Sequence, residues 1–311
     1  MVKSWYIKEV MLPALVVILS ASVGMAGLED QLAVYSGENA EGYLEPLVGA
    51  IGANLNNGLF ESSSIPLTGF SASFELRGMA IWFSDDDETF TARTEGGFNP
   101  PSSAEASTVV GPGEAVTVTG QGGTTFMFPG GFSLNSFALS VPQIRFGYYR
   151  GTEGLFRYMA ANLGDNEMGD LSLFGFGLRH NVSQYFGDDP PVSMAAGFLW
   201  QRFKAGKNEA GGDIFKSSAW TIGVQAGKVY GGGLTSVEPY AGLSVDSHSM
   251  DVAYEGDSKD SSSIVDLSFE PTRSLRFTVG LLARLAIARV HAEYNVSKRS
   301  SFAFGLALGR F

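Results

Sequence analysis

The stretch GFSASFELRGMAIWFS, residues 69–84, decides the fold. Phe70, Ala72, Phe74, Leu76, Ala80 and Trp82 fall on one phase of a period-two pattern, and Ser71, Ser73, Glu75 and Arg77 fall on the other. Successive side chains of a strand point to opposite faces, so the stretch predicts a β-strand with one apolar and one polar face. A single alternating segment also occurs in soluble sheets. Its recurrence carries the argument.

The same alternation returns along the rest of the chain. Ile144, Phe146 and Tyr148 oppose Gln143 and Arg145, and Phe156 and Tyr158 oppose Glu153 and Arg157. Phe174, Phe176 and Leu178 oppose Arg179, Phe198 and Trp200 oppose Gln201, and Ile222 and Val224 oppose Thr221 and Gln225. Leu243 and Val245 oppose Glu238 and Asp246, Leu275 and Phe277 oppose Arg276 and Arg284, and Val290 and Tyr294 oppose Arg289, His291 and Glu293. Phe302, Phe304, Leu306 and Leu308 alternate with Ala303, Gly305, Ala307 and Gly309 in the last segment. These are ten strands, an even number as bacterial membrane barrels require. Thr89–Thr94, Ala115–Thr119 and Thr124–Phe128 would raise the count to twelve, or residues 85–135 would fold into the lumen as a constriction.

The expectation is an all-β chain forming a transmembrane antiparallel β-barrel of about 10–12 strands. Every apolar stretch after Gly27 is broken within a few residues by Gly, Ser, Arg or Glu, and only helices and closed barrels satisfy all backbone groups in lipid. A soluble β-sandwich is the competing architecture, since its strands also alternate. Short turns at Gly151-Thr152 and Ala286–Ala288 and a long loop from Asp251 to Pro271 are expected. Phe311 is out of phase with the apolar residues of the last strand, and a bulge near Gly309 would restore it.

The chain opens with Lys3 and Lys8, an apolar run from Val10 to Leu19, and Gly24-Met25-Ala26 at the positions a signal peptidase reads. Residues 1–26 are therefore expected to be a cleaved signal peptide, 27–67 an N-terminal segment and 68–311 the barrel. Export of a barrel points to the outer membrane of a Gram-negative bacterium, with outer-membrane lipid as surroundings and the barrel-assembly machinery as a partner through the C-terminal strand.

Within 27–67 the run NAEGYLEPLVGAIGANLNNGLF, residues 39–60, predicts a helix. Pro46 suits a first helical turn, Leu47, Val48, Ile51 and Leu55 share one face, and Asn56-Asn57-Gly58 supplies a stop. Gly49, Gly52 and Ala53 allow close approach to another surface. The first strand follows after about a dozen residues, so the helix is expected at the barrel's periplasmic mouth or interior, as a plug lying against the small inward residues of the last strand.

The chain has no Cys, which removes disulfides and thiolate chemistry. His180, His248 and His291 stand in no metal-ligand spacing, and no cofactor is expected. The net charge of −11 argues against nucleic-acid binding. Acidic runs at Asp85–Glu88, at Asp188-Asp189 and at Glu255, Asp257 and Asp260 read as solvated loops, with divalent-cation binding as the sharper alternative. No GxSxG occurs, which leaves an outer-membrane hydrolase a remote reading.

Tyr43-Leu44-Glu45-Pro46, Gly52, Leu55-Asn56-Asn57-Gly58, Thr108-Val109-Val110-Gly111, Pro129-Gly130-Gly131, Gly151-Thr152-Glu153, Arg157-Tyr158 and Gly177-Leu178-Arg179-His180 resemble an uncharacterised bacterial family of outer-membrane β-barrel proteins. The resemblance covers most of the mature chain and implies a fold without an activity. In plan, a barrel behind an N-terminal luminal segment is also similar to the long-chain fatty-acid transporter family.

On the polar phase, Glu75, Arg77, Arg145, Glu153, Arg157, Arg179, Glu238, Arg276, Arg284, Arg289, His291 and Glu293 are candidates to line a lumen. They either pair across a narrow interior or flank a solute path. The functional expectation is a plugged channel or transporter for small solutes, apolar ones included. A structural or adhesive barrel is the alternative.

Overall fold

The computed structural model describes residues 27–162, 170–187, 190–207, 212–232, 234–256 and 263–311. The expected signal peptide, and the acidic residues Asp188, Asp189, Asp257 and Asp260, lie outside the described residues.

Ten antiparallel strands form the wall: β1 Thr68–Trp82, β2 Ser136–Tyr149, β3 Thr152–Asn162, β4 Asp170–Asn181, β5 Ser193–Ala205, β6 Phe215–Gly227, β7 Thr235–Gly256, β8 Ser263–Leu285, β9 Ala288–Val296 and β10 Ser301–Arg310. Each pairs with its sequence neighbour, and β1 pairs with β10 to close the ring. A three-residue strand, Tyr230–Gly232, folds back on β7.

The alternation resolves as the polar phase inward and the apolar phase outward. Phe74 is 47% exposed, while Glu75 and Arg77 beside it are fully buried. Leu243, Leu281 and Leu306 are likewise about half exposed. This is the reverse of a soluble sandwich, whose apolar faces meet, and it is what a barrel in lipid requires.

We call the end where β1 starts and β10 stops the near end, and the opposite end the far end. Two near-end turns are tight, at Arg150-Gly151 and Ala286-Ile287, as expected. The long loop expected over Asp251–Pro271 is instead mostly strand, because β7 runs to Gly256 and β8 starts at Ser263. At the far end the stretch after β1 adds no wall strand. It forms two small hairpins, Thr89–Arg93 with Ser103–Ser107 and Val116–Thr119 with Thr125–Phe128. Val109 N–H donates to the Tyr43 carbonyl at 2.9 Å and the Tyr43 hydroxyl donates to the Gly130 carbonyl at 3.1 Å, so the hairpins pack on the N-terminal segment as a cap.

That segment holds α1 Leu28–Leu32 and α2 Gly37–Asn56. The helix stops at Asn56 as expected but starts well before Pro46, which stands inside it. Proline costs an interior helix one hydrogen bond, and dense packing of Tyr43, Leu44, Leu47 and Ile51 into the far-end core offsets that loss. The helix lies in the barrel interior, one of its two expected places, but not against the small inward residues of the last strand. It occupies the far half of the barrel, and its neighbours are β1, β2, β6, β7 and β8. The space beside Gly305 of the last strand is taken by the side chains of His291 and Glu75. Gly49 and Gly52 do give close approach, to Arg299 and to the His248 ring.

No bulge occurs in β10, whose register with β1 runs unbroken from Phe302 to Arg310. Phe311 therefore stays on the inward phase at the near-end rim, with the Arg289 guanidinium 4.0 Å from its ring centroid.

Candidate functional site: the filled lumen

Between α2 at the far end and β1 at the near end the chain has only residues 57–67. Eleven extended residues reach about 36 Å, enough to cross the barrel, and the segment does cross it. Asn57 meets Ser301, at the far-end start of β10, and Arg276, Ser63 meets Glu238 closer to the near end, and Leu67 meets Gly151 at the near-end turn. The lumen is thus threaded from the far end to the near end by the protein's own main chain.

A main chain buried without a neighbouring strand still needs a partner for each N–H and C=O. The inward side chains supply them. Arg77 donates to the Phe60 carbonyl at 3.3 Å, Arg157 to the Asn57 and Gly58 carbonyls at 3.0 Å each, and Arg179 to that of Ser62. Gln201 donates to Leu55 O, Thr221 to Asn56 O at 3.2 Å and Gln225 to Glu61 O at 2.9 Å. In the other direction, Glu238 accepts from the Ser63 N–H at 2.6 Å. Arg276 reaches Asn57 Oδ1 at 2.6 Å, and the Asn57 amide donates to Ser301 Oγ at 3.0 Å. Arg145 and Arg289 bind the Glu61 carboxylate at 2.7 and 3.2 Å. Nine of the ten strands therefore hold the segment with at least one side chain, and β5 holds the last turn of α2 through Gln201. Carbonyls need donors, and arginine brings five in a fixed fork, which accounts for the arginine-rich interior.

Within this network charge balances. The six arginines 77, 145, 157, 179, 276 and 289 share the interior with six carboxylates, Glu61, Glu75, Glu153, Glu238, Asp246 and Glu293. Arg77 is 2.8 Å from Glu75 and 3.6 Å from Glu293, Arg145 lies 3.2 Å from Glu153, and Arg276 lies 3.2 Å from Asp246. His291 stands 3.6 Å from Glu75. Such an interior offers no net fixed charge with which to select an ion.

The expected lumen set accordingly divides. Glu75, Arg77, Arg145, Glu153, Arg157, Arg179, Glu238, Arg276, Arg289, His291 and Glu293 are brought together inside the barrel, where most of them seat the threaded segment or pair with residues that do. Arg284 is not part of this network. It stands at the near-end rim, half-buried, 3.5 Å from the Phe311 carbonyl. The helix residues Pro46, Leu47, Val48, Ile51 and Leu55 are all buried, in the far-half core.

Several residues of the network were not among the candidates. Gln143 links Glu75 to Arg157, Gln201 binds the last turn of α2, Gln225 binds the segment, and Glu61 is the segment's own anchor. The glutamines sit on the polar phase and could have been included on that ground. Glu61 lies outside any periodic stretch and carried no signal.

The three histidines lie apart. His180 at the near end is bonded to Thr152 at 2.8 Å, His248 abuts α2 in the far half, and His291 stands beside Glu75. Among the described residues no group of three or more His, Asp or Glu is arranged to hold a metal ion.

Among solved structures, the β domain of the Bordetella autotransporter BrkA is 10% identical, with a TM-score of 0.34, over 78% of this chain and all of that one. The outer membrane protein AlkL is 11% identical over 82% of this chain and 93% of its own, at a TM-score of 0.31. The Ralstonia pickettii toluene transporter TbuX is 10% identical over 78% and 90%, at 0.24. No curated protein matches the chain. A profile of the family of unknown function DUF6588 matches residues 7–310.

Proposed function

The chain belongs to DUF6588, a family of unknown function, and from its own geometry we propose that it is an outer-membrane channel or transporter closed by its own N-terminal segment. One observation carries the reading: the lumen is filled by a strand-free segment held through side chains, while the wall closes without it. Removing the segment would break no rung of the sheet. In this reading the near end is periplasmic, on the general rule that barrels of this class keep their short turns there, as the tight turns at Arg150-Gly151 and Ala286-Ile287 suit. The cap and α2 then lie on the outer side. The outward apolar phase meets outer-membrane lipid, and β10 is the strand offered to the assembly machinery.

In this reading the closed state conducts nothing of solute size, and small solutes pass only when residues 57–67 shift. Deleting residues 28–62 while retaining residues 1–26 tests it. The truncated protein should remain heat-modifiable on a gel and show higher conductance than the full chain in a planar bilayer. A folded truncation with unchanged conductance would reject the channel and leave a structural or adhesive barrel.

A further inference from the structure

The wall is not of even height. β9 pairs with β8 only as far as Val296 opposite Phe277, and the chain then turns at residues 297–300 into β10. β8 continues past that point to Ser263 and has no strand on this side among the described residues. A notch therefore stands above the β9–β10 hairpin. From Tyr43 to the end of α2, only Glu45, Gly49 and Ala53 are not buried, a single stripe of spacing four. That stripe borders a cavity of about 460 Å³ whose other walls are β8, Asp246 and His248 of β7, and the 297–300 turn. Volumes of this order are those of small-molecule sites.

The cavity has a graded lining. Arg273 and Lys298 stand at its rim with Glu41, Glu45 and Glu270. Val48, Gly52, Ala53 and Phe269 give its middle an apolar surface. The floor is Asn56, Ser301 and Arg276, the last only 3% exposed. Arg276 spends its Nε on Ser244 and Asp246 and its Nη1 on Asn57, and among the described residues its Nη2 has no hydrogen-bond partner. That arm is open to the cavity, where it offers an oxygen acceptor a charge-assisted hydrogen bond.

We propose that this cavity is a binding site for a small molecule with a short apolar body and an oxygen acceptor at one end, entering sideways through the notch. The oxygen accepts from Arg276 Nη2 and the body lies along Gly52 and Ala53 against Phe269. The site stands whether or not the threaded segment ever moves, because it lies above Asn57 and needs no displacement.

The test uses the full chain in phosphatidylcholine nanodiscs, with 4-fluorobenzoate, 4-fluorobenzamide and 4-fluorobenzylammonium as ¹⁹F NMR probes and empty nanodiscs as the blank. The two acceptor-bearing probes should broaden beyond the blank, and the ammonium should not. Ala53→Phe fills the cavity from the helix side and Ser274→Phe from β8, and each should weaken the acceptor probes at least tenfold. Arg276 itself is left unchanged because it also holds Asn57. If neither acceptor probe exceeds the blank, if both filled variants bind as the parent does, or if the ammonium binds as well as the benzoate, the proposal is overturned.

Discussion

The guanidinium of Arg157 donates to the Gly58 carbonyl at 3.0 Å, and a Cβ at residue 58 would collide with Arg157 and with Arg77. Gly58 also has φ +83°, a conformation that side chains disfavour. Two independent requirements thus fix glycine where α2 gives way to the threaded stretch. Gly58→Ala should therefore loosen the segment, at a cost of about 1–3 kcal/mol. A drop in the urea midpoint and faster proteolysis near residue 58 would register it. A midpoint equal to the parent's would mean that the two arginines do not depend on this approach.

Glu61 is the only carboxylate that the segment contributes to the interior, and it touches Arg145 at 2.7 Å and Arg289 at 3.2 Å. Both cations come from the wall, so the contact joins segment to barrel. Glu61→Gln keeps the shape and removes the charge, which leaves two buried guanidinium groups short of a counter-ion. Breaking a buried pair from one side costs on the order of 3–5 kcal/mol. Adding Arg289→Gln should recover part of the loss, since one stranded cation is then gone. Equilibrium unfolding of the two variants and their parent checks both the drop and the recovery; strictly additive losses would contradict the coupling.

How far these residues could be read in advance follows from their local patterning. The wall was legible because Phe74 and Glu75, or Phe277 and Arg276, declare their faces by alternation alone, and the phase read for each strand matches its burial. Strand length was not, because β8 runs on through Glu270 and Pro271, residues that look like a loop and that stand unpaired in an irregularity between the pairs Met250–Phe269 and His248–Thr272. The start of α2 was hidden by Gly37, Gly42 and Pro46, which read as breakers and are overridden by packing against the cap. Threading left no periodic signature. Residues 57–67 have neither helical nor strand period, and their conformation is set by hydrogen-bond partners that lie up to 244 residues away in sequence. The motifs of the family resemblance make more sense in space. Asn57-Gly58, Arg157 and Arg179 meet in the lumen, and Tyr43, Val109 and Gly130 meet in the cap.

The cap should be sensitive to acid through Asp87, which lies in the turn at Asp85–Asp87 outside the wall. Burial alone would raise its pKa, but the Ser84 N–H at 2.9 Å and the Arg299 guanidinium outweigh burial and hold it below the ordinary value. A depressed folded pKa contributes stability that is present above the unfolded value, ~3.9, and is lost as pH falls through the folded value. Pepsin, active throughout that range, should therefore cut within residues 83–135 only below about pH 4 in the parent. In Asp87→Asn, which has no charge to lose, cutting should already occur at pH 5. Identical pH profiles for the two proteins would remove Asp87 from the hold on the cap.

The last prediction separates a segment that moves from one that merely fills. The chain contains no Cys, so a pair can be introduced without competing thiols. Asn57 Nδ2 donates to Ser301 Oγ at 3.0 Å, and these side chains join the segment to the far-end start of β10. Asn57→Cys with Ser301→Cys should oxidise to a disulfide that ties the segment to the wall. The reduced form loses the Arg276 to Asn57 contact of 2.6 Å and should open more readily than the parent. Oxidation should abolish those openings in a planar bilayer, and added reductant should restore them in the same membrane. Mass spectrometry of the protein recovered from each condition establishes whether the bond has formed. Openings that persist at equal frequency with the bond fully formed would mean that solute passes without displacing residue 57, and that the threaded main chain is a fixed part of the barrel.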